Sequence, residues 1–423
     1  MLDLLEAVAG RVREGLPADA AMKDIYRNHR EFGSRDRRLY SNLVFSFFRW
    51  KGWTDLAAGQ PLALRAAAAF RLDFPESHPA VDLIAPLDPP AETPDSLPAK
   101  ARQIARWLRL DAPPSPLLLI PPSIAPLLEA PAEGSGPEPL LPLLDSFQER
   151  PPTWIRIRTG HDDDVRAAAV ELGIPLLPHP RLPLAWQAPD PARLADLLAR
   201  CRGLVEIQDV ASQAVGFLAG DEPGRTWWDV CAGSGGKSLH LADLARGRIR
   251  ILATDVRAGI LEEADRRVRQ AGLSRAIRLK KMDAAVEPVP ETQFDGVLVD
   301  APCSGTGTWA RNPDARWRLS PEQVQGFADT QSLLLSRVAG TVRPGGVLIY
   351  ATCSLTRAEN AGVLDRFLKS RPDFSPSPFL NVLTGEAAPG RCYFWPWQGP
   401  GSGLFAARLV RNPDAAPMGK ASL

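Results

Sequence analysis

The sequence predicts an α/β protein built on a doubly wound, mostly parallel sheet, preceded by a small ferredoxin-like α+β segment and an all-helical N-terminal module. Three observations predict it. Apolar residues recur at helical spacing through the first 75 positions, a βαββαβ succession follows between 151 and 209, and from 210 onward strand-like runs end at the start of loops and lead into helices. At 423 residues the chain is too long for one ordinary hydrophobic core, and two or three domains are expected. The expected boundaries are 1–150 for the helical module with a proline-rich second half, 151–209 for the ferredoxin-like segment, 210–411 for the doubly wound sheet, and 412–423 for a loose tail.

Each element follows from its pattern. Leu2, Leu5, Val8 and Val12, then Leu39, Leu43, Phe47 and Trp50, lie one helical turn apart with few breakers between them. From about 75 to 150 proline is dense, with pairs at 89–90, 113–114 and 121–122 around one expected helix from Ala99 to Leu108. Proline restricts itself and its predecessor, so short helices and extended connectors are expected there. Next come a strand at Trp154–Arg158, a helix at Asp163–Leu172, strands at Leu176–Leu177 and Leu184–Trp186, a helix at Pro191–Arg200 and a strand at Leu204–Ile207. RNA-recognition domains share that order but stack bases on an aromatic motif missing here, so a scaffold is expected, with Arg156 and Arg158 as its candidate RNA contacts.

Composition sets limits. With 45% hydrophobic and 23% charged residues the chain reads as globular, and a net charge of +1 excludes a globally polybasic protein. Any nucleic-acid contact must rest on local clusters such as Arg35, Arg37 and Arg38, or Arg266, Arg267 and Arg269, which are more often solvated helix faces. The five cysteines are scattered without CxxC spacing, so neither a disulfide framework nor a metal site is indicated. No signal peptide or membrane span is read, and a monomer in a reducing cytoplasm is expected.

The chemistry is concentrated at strand ends. Trp227–Val230 runs into Cys231, Ala232, Gly233, Ser234, Gly235, Gly236 and Lys237 before a helix from Leu239 to Arg246, a glycine turn that lets a ligand approach backbone N–H groups. Cys231 stands where a P-loop needs glycine, and Ser238 where a dinucleotide fingerprint needs one. What remains is the looser Asp-x-x-x-Gly-x-Gly pattern of an S-adenosylmethionine site. Asp255 ends the next strand 255 − 235 = 20 residues past Gly235, the separation at which a carboxylate meets ribose hydroxyls. Asp283 follows a third strand, where adenine is expected. Asp300 ends a fourth, Phe294–Val299, and opens Asp300-Ala301-Pro302-Cys303-Ser304-Gly305, while Val347–Tyr350 leads to Ala351-Thr352-Cys353-Ser354. Any single Asp there is more often a turn or cap, and any single Cys more often core; their convergence on one rim points to covalent chemistry.

These segments, with Gln208-Asp209, Ser212-Gln213 and Glu359-Asn360, resemble the Sun/Fmu-type (RsmB-like) RNA cytosine-5 methyltransferases over about 151–411. The run Phe32-Gly33-Ser34-Arg35-Asp36-Arg37-Arg38 resembles the NusB-type helical domain of the bacterial ribosomal members. One departure is visible: the family's loop usually reads Ala-Pro-Gly-Gly-Lys, and Gly233-Ser234 stand in place of its Ala-Pro. The resemblance implies a class I methyltransferase fold, S-adenosylmethionine as cofactor, and a cytosine of 16S-type rRNA as target. Carbon 5 of cytosine is a poor nucleophile, so a thiolate must first add to carbon 6. DNA cytosine methyltransferases use a Pro-Cys position like Pro302-Cys303 for this, and the sequence alone does not rank the two thiols. The resemblance assigns Cys353 as nucleophile and Cys303 to breakdown of the adduct; Asp300 is expected to bond the cytosine edge near nitrogen 3 and to touch the methionine end of the cofactor. Lys237 is expected to lower a thiol pKa or hold the cofactor carboxylate. The stretch Thr306–Ser320, with Arg311, Arg316, Arg318, Trp309 and Trp317, has a composition suited to gripping RNA or, equally, to a surface loop with two partly buried tryptophans. The alternatives are a tRNA or DNA methyltransferase, or a non-catalytic RNA-binding ribosome assembly factor.

Overall fold

Leu5, Val8 and Val12 lie on one face of the helix Leu2–Arg13, and burying that face against Leu43, Phe47, Phe48 and Phe70 builds the core of the N-terminal unit. In this computed structural model all residues are described except 77, 89–93, 132–138, 190–192, 221–224 and 415–423. The Pro89-Pro90 pair, the Pro191 start of a helix and most of the tail therefore lie outside the described residues.

The first unit comprises Met1–Arg150 together with Thr308–Pro321. Its longer helices are Leu2–Arg13, Ala18–Asn28, Ser34–Arg49, Leu62–Asp73 and Leu97–Leu108. The third begins where the Gly33 N–H donates to Asp36 Oδ2 at 3.0 Å, which satisfies one of the open donors of its first turn. In the proline-dense half, Pro98 and Pro142 sit in the first turns of Leu97–Leu108 and Leu141–Gln148, where the missing N–H costs nothing.

The segment 308–321 is part of this unit's core. Arg316 is fully buried and donates to the carbonyls of Leu119 at 2.9 Å, Trp309 at 3.3 Å and Phe147 at 3.4 Å, while burial, with Arg49 beside it, pulls its pKa down to about 9. Trp317 Nε1 donates to Phe48 O at 2.7 Å, and the Ala18 N–H to Asp314 Oδ2 at 3.0 Å. Trp309 is also fully buried. Gripping RNA is thus ruled out for Arg316 and Trp309, whose guanidinium and ring are spent on packing.

The second unit comprises Pro151–Gly307 and Glu322–Leu423. It opens with β1 (Thr153–Ile157), β2 (Leu177–Pro178), β3 (Ala185–Ala188) and β4 (Val205–Ile207), in the order β2-β3-β1-β4 with every pairing antiparallel. Helices Asp162–Glu171 and Leu194–Arg200 complete the split βαβ arrangement. Ile155, Ile157, Val165, Leu197 and Val205 form a core within these residues, while Trp154, Leu182 and Ala185 share one with Trp227, Leu239 and Ile251.

Buried ion pairs fasten the same seam. Arg156 donates to Gln208 Oε1 at 2.8 Å and Asp243 Oδ2 at 3.2 Å, and Arg158 to Asp243 Oδ1 at 3.4 Å and Ala271 O at 2.6 Å. Burial lowers the Arg156 pKa to about 10 against the pull of Asp243. The expectation that these two arginines contact RNA is corrected: their forks are taken by the protein.

The large sheet runs β5 (Thr226–Asp229), β6 (Arg250–Asp255), β7 (Ile277–Lys281), β8 (Phe294–Asp300) and β9 (Val342–Thr352), all parallel, in the order β7-β6-β5-β8-β9. After β10 (Phe374–Pro376), a hairpin of β11 (Phe379–Asn381) and β12 (Glu386–Ala388), and β13 (Arg391–Phe394), strand β14 (Leu404–Arg411) adds antiparallel to β9 and carries β10 on its outer edge. This is a doubly wound, Rossmann-like sheet with antiparallel strands added on one side. Strand order reverses between β5 and β8, and ligands bind outside the carboxyl ends of strands at such a point.

Candidate active site

Four functional positions fall on that rim because each is the last residue of its strand or the next one: Asp229 after β5, Asp255 after β6, Asp300 after β8 and Cys353 after β9. They line one cavity of about 920 Å³ with Cys231, Ala232, Gly233, Ser234, Gly236, Lys237, Asp283 and Cys303. Gly235 alone of the sequence-selected residues does not line it. Its role is conformational: φ of +83° lets it cap the helix Gly236–Leu244, and Gly233 turns with φ of +54°.

The two thiols meet, with Cys303 Sγ 3.2 Å from Cys353 Sγ. The hydrogen bond to Cys353, then burial, holds the Cys303 pKa well above the usual thiol range, so Cys303 is the protonated partner at neutral pH. Cys231 is also pushed up, by burial and the surrounding aspartates, and behaves as an inert wall.

Lys237 donates to Asp300 Oδ2 at 2.6 Å. Burial works against the ammonium, but Asp300, by charge and hydrogen bond, then Asp229 and Cys353, raise its pKa above the ordinary value. Lys237 therefore stays charged beside both the carboxylate and the sulfur.

Asp255 Oδ2 accepts from the Gly233 N–H at 3.0 Å, which fixes the glycine turn. Arg257 adds its own N–H and two guanidinium bonds of 2.9 and 3.0 Å, and although burial opposes ionisation, these donors hold the Asp255 pKa below the ordinary value. Asp283 Oδ1 accepts from the Ala285 N–H at 2.9 Å.

Ser234, the residue at the family's proline position, is held by a different device. Arg267 donates to its carbonyl and to its hydroxyl, both at 2.7 Å, and pairs with Glu206 on β4. A hydrogen-bonded staple thus replaces ring rigidity in stiffening the turn.

Two residues that the sequence shows only as members of motifs have structural roles here. Glu359 is fully buried and accepts from Ser304 N at 2.8 Å, Ser304 Oγ at 2.5 Å, Ser354 Oγ at 2.7 Å, Thr356 Oγ1 at 2.8 Å and Gln331 Nε2 at 3.1 Å. It ties the Cys303 loop to the Cys353 loop. Asp229 is buried, one oxygen accepting from Ser238 Oγ at 2.6 Å and the other unpartnered among the described residues; burial, with Asp300 nearby, raises its pKa to about 7. No cluster of three or more metal-ligating side chains occurs among the described residues, and no described helix is long and apolar enough to cross a membrane.

Residues 217–410 match the family model described as 16S rRNA methyltransferase RsmB/F. This portion, a little under half of the chain, is similar to the RsmB/F family. Ribosomal RNA small subunit methyltransferase B of Klebsiella pneumoniae is 30% identical over 65% of this chain and 63% of its own length. The protein of the same description from Salmonella arizonae is 33% identical over 64% of this chain and 62% of its own. The chain thus spans a little under two thirds of these RsmB/F relatives. The crystal structure of PH0851 aligns over 96% of this chain and 98% of that one with a TM-score of 0.71; at 23% identity the likeness is one of fold.

Proposed function

We propose that the protein is an S-adenosylmethionine-dependent RNA methyltransferase that transfers a methyl group to carbon 5 of a cytosine in small-subunit rRNA. The observation that carries this reading is the pair of thiols in contact on the wall of the same cavity as the glycine turn. The names of the RsmB/F relatives support ribosomal RNA as the substrate.

The residues present fit the cofactor. Asp255 and Asp283 would hold its ribose and adenine, and the turn Cys231–Lys237 its methionine end. Arg257 now fills Asp255, but its side chain is 65% exposed, so exchanging it for ribose hydroxyls is cheap. When bound, the cofactor supplies an electrophilic sulfonium methyl group.

The protein's own groups do the rest. The Cys353 thiolate adds to carbon 6, and the displaced ring electrons make carbon 5 nucleophilic. Asp300, paired with Lys237, accepts from the exocyclic amino group of the cytosine edge, while nitrogen 3 takes a proton from solvent as the thiolate adds and returns it when the C–S bond breaks. Once Cys353 is bonded to carbon it no longer holds the proton on Cys303. Cys303 can then lose that proton to solvent and take the carbon-5 proton, and the C–S bond breaks with its electrons returning to sulfur. Glu359 keeps the two loops in register throughout.

For the helical unit we keep a NusB-like assignment, supported by its helical composition and the Phe32–Arg38 run. The test is transfer from labelled methyl donor to 16S rRNA lacking the modification, followed by digestion to nucleosides. Label in 5-methylcytidine is expected. Label in another nucleoside, in tRNA or DNA alone, or in nothing would overturn the reading.

A further inference from the structure

The helical unit contains a second cavity, of about 370 Å³, where cations from four chain segments converge: Arg38 and Arg49 on the helix Ser34–Arg49, Lys100, Arg150 and Arg311. Among the described residues that line it, these five face two carboxylates, Asp73 and Glu149. Asp73 is committed elsewhere. It accepts from Ser46 Oγ and from Trp50 Nε1, each at 2.7 Å, and pairs with Arg49.

Two further observations point to an anion. Arg49 is buried, and its Nε, itself sealed from solvent, has no hydrogen-bond partner among the described residues. The Arg150 pKa is lowered, first by desolvation and then by Arg49, Arg311 and Arg38, against a smaller opposing pull from Asp73. A solvated helix face would spread such charges outward, whereas these surround one hollow. Planar guanidinium forks match phosphate oxygens, and phosphodiesters supply most of the affinity of proteins for nucleic acid.

We propose that this cavity is a phosphate pocket that holds one backbone phosphodiester of the RNA substrate, gripped by Arg38, Arg150 and Arg311 over Arg49. The proposal rests on the RNA reading above and adds to it a binding site outside the methyl-transfer cavity.

Arg38 and Arg150 are both exposed, so the double variant Arg38→Gln/Arg150→Gln removes charge without opening a core. Binding of the full-length protein to an end-labelled, single-stranded fragment of 16S rRNA is measured across a potassium chloride series, with S-adenosylmethionine titration and a thermal melt as controls. The variant should bind the fragment about 5- to 10-fold more weakly, with a log–log salt slope shallower by ~0.7, the value for one phosphate contact on a single strand. Cofactor affinity should not change. Arg38→Lys/Arg150→Lys keeps the charge and should restore the salt slope but only part of the affinity. If the parent binds the fragment and the glutamine variant matches its affinity and slope, the pocket is overturned while the RNA reading stands. If the parent itself binds no RNA, both fall.

Discussion

Neutralising Glu359 should loosen both thiol loops at once. The carboxylate accepts five hydrogen bonds inside the protein, two on Oε1 from Ser304 N and Gln331 Nε2, and three on Oε2 from Ser304, Ser354 and Thr356 hydroxyls. A bond to a charged acceptor contributes ~1.5–3 kcal/mol against ~0.5–1.5 kcal/mol for a neutral one, so removing the charge forfeits about 1 kcal/mol at each. In Glu359→Gln the new NH₂ must face the hydroxyls, which can rotate to accept, because the Ser304 N–H can only donate. That adjustment recovers part of the loss, and a net destabilisation of roughly 2–4 kcal/mol is expected. Turnover should fall further than stability alone explains, since a shift of about 1 Å between reacting groups can cost ~10²-fold. Urea unfolding and single-turnover methylation of saturating rRNA, under conditions where the variant is fully folded, measure the two effects separately. A variant within about 0.5 kcal/mol and twofold of the parent would refute the reasoning.

Two other outcomes follow from the charges in the cavity. The Asp229 carboxyl titrates near ~4 when unfolded and at about 7 when folded, so its contribution to stability is complete below ~4 and is lost as pH rises through 7. Between pH 5 and 8 the parent should lose about 3 kcal/mol of stability relative to Asp229→Asn; parallel urea curves at both pH values would rule the shift out. Arg257→Ala frees the acceptor positions on Asp255 and should tighten S-adenosylmethionine binding about two- to fivefold by calorimetry, and weaker binding would assign Arg257 to the cofactor site instead.

What the sequence made legible was local. Strand periodicity placed Asp255, Asp300 and Cys353 at strand ends, and a parallel sheet needs nothing further to gather them on one rim. Long-range pairing was not legible. Arg156 looked available for RNA because its partner Asp243 lies 87 residues away, and nothing local distinguishes a buried guanidinium from an exposed one. Arg316 and Trp309 sit within the sequence of the sheet domain yet pack with Leu119 and Phe147 of the helical unit, which no window of neighbouring residues could reveal. Glu359 was seen as part of a motif. Its role depends on Ser304, Gln331 and Ser354 converging from three segments. The Asp229 shift arises from burial under the glycine turn, a property of packing that composition does not carry.

The most direct test of the mechanism compares single and double cysteine variants with S-adenosylmethionine and unmodified 16S rRNA on a denaturing gel. Cys303→Ala should accumulate a protein–RNA species that survives denaturation, because the adduct forms but its carbon-5 proton is not removed. Cys303→Ala/Cys353→Ala should form none, and Cys353→Ala should lose turnover by about 10³-fold or more. Methylation by Cys353→Ala at the parent's rate, or an adduct that persists in the double variant, would contradict the assignment of the Cys353 sulfur as nucleophile.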